Sequence, residues 1–148
     1  MTQEKKNLLL KDLCARLPYG IKVRVDRYNC HDVFTLNGYQ SGVFWIHLDK
    51  ECEKYLWIGT ALQYNEFKPY LRPMSSMTEE EIRELDAIER NALNFCMEND
   101  DNGYTTESIA CDACIIDFCN KHHLDYRGLI EKGLALEAPK DMYKFEHL

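Results

Sequence analysis

The feature that most constrains this chain is a change in the period of its apolar residues. Across residues 20–73 the period is two: Ile21, Val23 and Val25 alternate with Lys22, Arg24 and Asp26, as in a strand with one buried face. Val33, Phe34 and Leu36 then lead into Asn37-Gly38, a hairpin-turn signal. A third run, Val43–Leu48, follows Ser41-Gly42, and a fourth, Tyr55–Ile58, ends at Gly59. Phe67–Leu71 is a fifth, which Pro69 assigns to an edge because proline has no amide to donate. Five short strands predict a small curved antiparallel sheet or an SH3-like barrel, with Trp45 and Trp57 filling much of its core.

On both sides of this segment the period becomes helical. Thr2 can cap a helix over residues 2–17, in which Leu9, Leu10, Leu13, Cys14 and Leu17 recur at helical spacing before Pro18 ends it. Thr78 followed by Glu79, Glu80 and Glu81 is a capping box, and Ile82, Leu85, Ile88, Ala92, Phe95 and Cys96 draw an apolar stripe to about residue 98. An acidic loop with Asn102-Gly103 follows, and Thr105 or Thr106 can cap another helix running to about His123. A shorter helix is expected over residues 125–133, with the remainder a tail. The expected class is α+β in one domain over residues 1–148: a helix at 1–17, a β subdomain at 20–73 and a helical subdomain at 78–148.

Composition narrows the function. With 25 acidic against 18 basic residues and a net charge near −7, the field of the protein repels phosphate backbones, so generic nucleic-acid binding is not expected. No apolar run approaches the roughly 18 residues of a membrane span, and the first residues are too polar for a signal peptide. A cytoplasmic protein is expected, with its 7 cysteines as free thiols.

Three stretches stand out: KDLCARLPYG at 11–20, KPYLRPMSSMTEEE at 68–81 and HHLDYRGLIEKGLALEAPKDMYKF at 122–145. Together they resemble a family of short uncharacterised proteins from phages, prophages and mobile elements of Bacteroides-group gut bacteria. The resemblance implies a setting, a small accessory protein in a bacterial cytosol in the context of phage infection, and carries over no functional residue. Proteins in that setting often bind and inhibit a host protein, or sequester a nucleotide immune signal as an anti-defence measure.

Several clusters invite chemistry. Cys111, Cys114, Cys119, His122 and His123 read like zinc ligands, but on one helix Cys111 and His122 are about 16 Å apart along the axis, too far to share a metal. Cys111 and Cys114 also sit more than a turn inside the expected helix, beside Glu107 and Asp112, where a redox thiolate is disfavoured. On a helical wheel Cys111, Cys114, Ile115, Phe118 and His122 share one face, and Ile109, Ala113 and Ile116 the opposite one, as in a central, buried helix. The acidic loop fails as a calcium site, since its twelfth position is Ile109.

The best candidate site is His122, His123, Asp125, Tyr126 and Arg127, which holds the residue types of acid–base catalysis or anion binding within six positions. Arg127 and a histidine suit a phosphate or carboxylate, and Tyr126 can stack on a base. The bland alternative is that Asp125 caps a helix, Arg127 forms a salt bridge, and the ring side chains pack. A second candidate is the basic strand of Lys22, Arg24 and Arg27, with Arg24 lining an anion pocket between sheet and helices. No glycine-rich phosphate loop, serine nucleophile elbow or HExxH motif appears. The expected function is non-enzymatic binding to a host protein, with no metal or cofactor. Capture of a small anionic ligand, or hydrolysis by His122 or His123 with Asp125, are the alternatives. Two-fold homo-oligomers are common among small binding proteins, though no heptad marks one here.

Overall fold

The computed structural model describes residues 2–25, 33–40, 43–48, 55–58, 67–98 and 106–143. It has the expected α+β arrangement, with an N-terminal helix, a sheet and C-terminal helices. Helix α1 (Gln3–Arg16) is capped by Thr2, whose hydroxyl accepts the Lys5 amide at 3.2 Å. A 3₁₀ turn, Leu17–Tyr19, follows, and Gly20 at φ 70° closes it in the left-handed region.

The strands are β1 (Lys22–Val25), β2 (Val33–Gln40), β3 (Val43–Leu48), β4 (Tyr55–Ile58), β5 (Phe67–Leu71) and β6 (Leu136–Glu137). Their order is β4-β3-β2-β1-β5-β6, an open sheet with β4 and β6 at its ends and not a closed barrel. It is also mixed: β6, contributed by the C-terminal segment, runs parallel to β5.

Two turn and edge expectations are corrected. Asn37-Gly38 does not turn the chain but lies inside β2, where the register slips between Leu36↔Ile46 and Gly38↔Trp45, leaving Asn37 as the extra residue of a bulge. The pairing with β3 instead continues to Gln40↔Val43. Nor is β5 an edge, since it lies between β1 and β6. Proline is tolerated there because β6 pairs only with Tyr70 and Leu71, one position beyond Pro69.

The core forms where α1 covers one face of this sheet. Leu9 and Leu13 from α1 meet Ile21, Val23, Phe34 and Phe67, and the segment around Leu129 and Leu134 closes the cluster. Each such side chain, fully buried, contributes about 1.5–3 kcal/mol. The core role expected of Trp45 and Trp57 concerns side chains outside those described, as do the acidic loop before residue 106, Arg27 and the cysteines of the 26–66 region.

Helices α2 (Glu79–Glu98) and α3 (Thr106–Lys121) form a second unit. The capping box of α2 is present: the Thr78 amide donates to Glu81 Oε1 at 2.9 Å and the Glu81 amide to Thr78 Oγ1 at 3.2 Å. Phe118 and Cys119 of α3 pack with Leu85 and Ile88 of α2 around a small core of their own. So α3 is not the central, buried helix its two apolar faces predict. Ala113, Cys114 and Ile116 are exposed, Ile116 at 43%, as is Ile82 of the α2 stripe.

The helix expected over residues 125–133 is replaced by consecutive turns. Asp125 accepts the amides of Leu129 at 2.8 Å and Ile130 at 2.9 Å, and Gly128 at φ 70° breaks the helical run three residues in. No helix among the described residues is long and apolar enough to cross a membrane.

Candidate functional site

At its C-terminus α3 ends in a Schellman turn, the Leu124 amide reaching the Cys119 carbonyl at 2.9 Å and the His123 amide the Asn120 carbonyl at 3.2 Å. The left-handed position, usually glycine, is His123 at φ 57°. Beyond the turn the chain lies along Arg72. The Arg72 amide donates to the His123 carbonyl and the Asp125 amide to the Arg72 carbonyl, both at 2.8 Å. Successive side chains therefore leave this crossing in different directions, and the candidate residues take separate partners.

His122 points to α2. Its Nδ1 lies 3.0 Å from Glu81 Oε2 and its Nε2 3.9 Å from Glu84 Oε2. Glu81 is already held by Arg72 in a two-pronged bridge at 2.7 and 2.8 Å. The hydrogen bond from Arg72 keeps the Glu81 carboxyl down at about 2, with the Thr78 amide adding to it. With that charge paired, burial outweighs both carboxylates at His122, whose pKa is lowered.

His123 points the other way, into the main body. It is 1% exposed, its ring stacks on Tyr143 at 3.8 Å between centroids, and its Nδ1 has no hydrogen-bond partner among the described residues. Burial, reinforced by the positive charge of Arg16 and Arg72, pushes its pKa down to about 3, so it is neutral at physiological pH. The Tyr143 hydroxyl in turn joins the sheet, accepting the Lys22 amide at 2.9 Å and donating to the Tyr70 carbonyl at 2.7 Å.

Asp125 is engaged by the two backbone amides described above, and the described contacts give it no histidine partner. Tyr126 and Arg127 are brought together. The Arg127 Cζ lies 4.9 Å from the Tyr126 ring centroid, the Arg16 Cζ 5.3 Å from it, and the Tyr126 hydroxyl donates to Asn120 Oδ1 at 3.0 Å. Arg24 is elsewhere: it alternates with the buried Val23 and Val25, and so stands on the sheet face opposite the core that Leu129 covers.

The residues that organise this region were missed by pattern reading. Asp12 and Arg16, both fully buried, form a paired bridge with Arg16 Nε at 2.9 Å and Nη2 at 3.2 Å. Arg16 Nη2 also donates to the Leu124 carbonyl at 2.7 Å, and Arg127 Nε donates to Asp12 at 3.2 Å. The signal was present: positions 9, 12, 13 and 16 share one helical face, so a charged pair at 12 and 16 lies in line with Leu9 and Leu13. The cysteines are dispersed, Cys114 exposed and Cys119 buried, while the Cys111 thiol donates to the Ile88 carbonyl at 3.3 Å. Burial raises the Cys119 pKa, which disfavours a reactive thiolate there.

Comparison of the chain with protein-family models, with curated proteins and with solved structures returned no match.

Proposed function

We propose that this chain is a non-enzymatic binding protein of a phage or mobile element, acting in the bacterial cytosol by docking on a host protein through the outer face of α3. One observation carries the reading: α3 is apolar on two sides and only one is covered by α2, so that Ala113 and Ile116 of the opposite face meet solvent. Charge describes the partner. Asp112 and Asp117 flank the uncovered face, Glu79, Glu80 and Glu84 are exposed on α2, and the net charge is −7. An apolar patch rimmed by lysine and arginine complements that surface, whereas a second copy would set carboxylate against carboxylate. The engagement of His122, Asp125 and Arg127 by other groups of the same chain supports a binding role over a catalytic one. The phage setting rests on the sequence resemblance.

The test is to express the tagged chain and its Ile116→Asp variant in a Bacteroides-group host, cross-link, and identify captured proteins by mass spectrometry. Because Ile116 is exposed, the variant should keep its stability within about 0.5 kcal/mol. The reading expects a stoichiometric host protein with wild type that the folded variant loses. Equal capture by both, or capture only of a second copy, would overturn it.

A further inference from the structure

In the network beneath residues 124–127 one carboxylate serves two guanidiniums. Asp12 accepts Nε and Nη2 of Arg16 and Nε of Arg127, so the three side chains together carry one positive charge more than negative. Asp12 and Arg16 are fully buried and the Arg127 side chain is 20% exposed. Water therefore screens the excess charge poorly, and of the three side chains Arg127 is the one that reaches solvent.

Donors are left over as well as charge. Among the described residues, Arg16 Nη1 is buried with no hydrogen-bond partner, and the Arg127 guanidinium bonds only through Nε. Its two terminal nitrogens, the fork that grips an oxyanion with two parallel bonds, are uncommitted. The fork is also held in place. The Arg127 Cζ lies 4.9 Å from the centroid of the Tyr126 ring, which Asn120 fixes through the hydroxyl, and the Lys132 ammonium bonds the Arg127 backbone carbonyl at 3.0 Å.

We propose that Arg127, backed by Arg16, with which it shares Asp12, is a binding site for a phosphate group. A dianionic oxyanion there compensates the excess charge of the buried network and fills the fork of Arg127. This site is separate from the outer face of α3 and does not depend on a host protein docking there. Since the net charge of −7 disfavours loose association of anions, saturable binding would report a local site.

The experiment is a titration of the ¹⁵N-labelled full chain with inorganic phosphate at pH 7, with sodium chloride holding ionic strength constant, following arginine side-chain Nε–H and backbone amide resonances. Saturable shifts are expected at Arg127 and Arg16, and none at Arg83, an exposed arginine that donates to the Glu79 carbonyl at 3.3 Å and serves as internal control. Arg127→Lys keeps the charge and loses the fork, so affinity should fall about tenfold or more. Absence of a saturable shift at Arg127, equal shifts at Arg83, or an unchanged midpoint in a folded Arg127→Lys protein would overturn the proposal. Should that variant not fold, the wild-type contrast between Arg127 and Arg83 still decides it.

Discussion

At the scale of single residues, the most consequential side chain is Asp12, the acceptor shared by Arg16 and Arg127. Removing one partner from a buried ion pair leaves an uncompensated charge, so Asp12→Ala should lower the free energy of unfolding by about 3–5 kcal/mol in urea denaturation. Replacing the pair together, Asp12→Leu with Arg16→Met, should cost less than Asp12→Ala alone; a larger cost would show that the bridge itself stabilises the fold. His123 gives a pH signature. Its pKa is near the ordinary 6.5 when unfolded and about 3 when folded, so between those values only the unfolded chain takes up the proton. Stability therefore falls as pH is lowered through that window, with a slope of up to about 1.4 kcal/mol per pH unit from this group. His122 shifts the same way, and Glu81 adds its own loss only between about 4.5 and 2. His123→Asn keeps a residue that tolerates the left-handed backbone. It should flatten the slope of stability between about pH 6.5 and 4.5, leaving a remainder from His122; an unchanged slope would contradict this assignment. Such behaviour is not written in the sequence, because neighbouring His122 and His123 differ only through the turn that sends them to opposite sides.

At the scale of elements, local rules read the helices and strands well where each is set by its own pattern. Thr2 and Thr78 cap helices because the acceptor and the amides it satisfies are three residues apart. Val23 and Val25 are buried and Lys22 and Arg24 half-buried because strand period divides the faces. What escaped the pattern depends on partners distant in sequence. A two-residue parallel strand has no period to detect, and Pro69 is harmless only because that strand stops short of it. Tyr143 is of the same kind. Its hydroxyl joins β1 to β5 from 121 residues beyond Lys22 and 73 beyond Tyr70, and Tyr143→Phe removes the bridge while keeping the ring on His123. The expected result is a loss of about 1–3 kcal/mol and faster hydrogen exchange at the Lys22 amide; exchange at the wild-type rate would mean the bridge is not made in solution.

At the scale of the whole molecule, the three stretches that stand out in the sequence, 11–20, 68–81 and 122–145, converge. Residues 11–20 supply Asp12 and Arg16, residues 68–81 supply Arg72 and Glu81, and residues 122–145 supply Leu124, Arg127 and Tyr143, which bind them together. The candidate cluster at 122–127 was thus legible as a place where polar residues matter. Its engagement within the fold was not, since that follows from tertiary packing of segments far apart in sequence, as of Arg16 on Leu124 and Glu81 on His122. The uncovered face of α3 was also half-visible: both apolar faces could be drawn on a helical wheel, but not which would find a partner within the chain. The most direct test of the docking account is hydrogen–deuterium exchange of the full chain, alone and with the host protein captured by wild type. Protection confined to the middle of α3, around residues 111–117, is the predicted result. Protection elsewhere, with α3 exchanging as in the free protein, would contradict it.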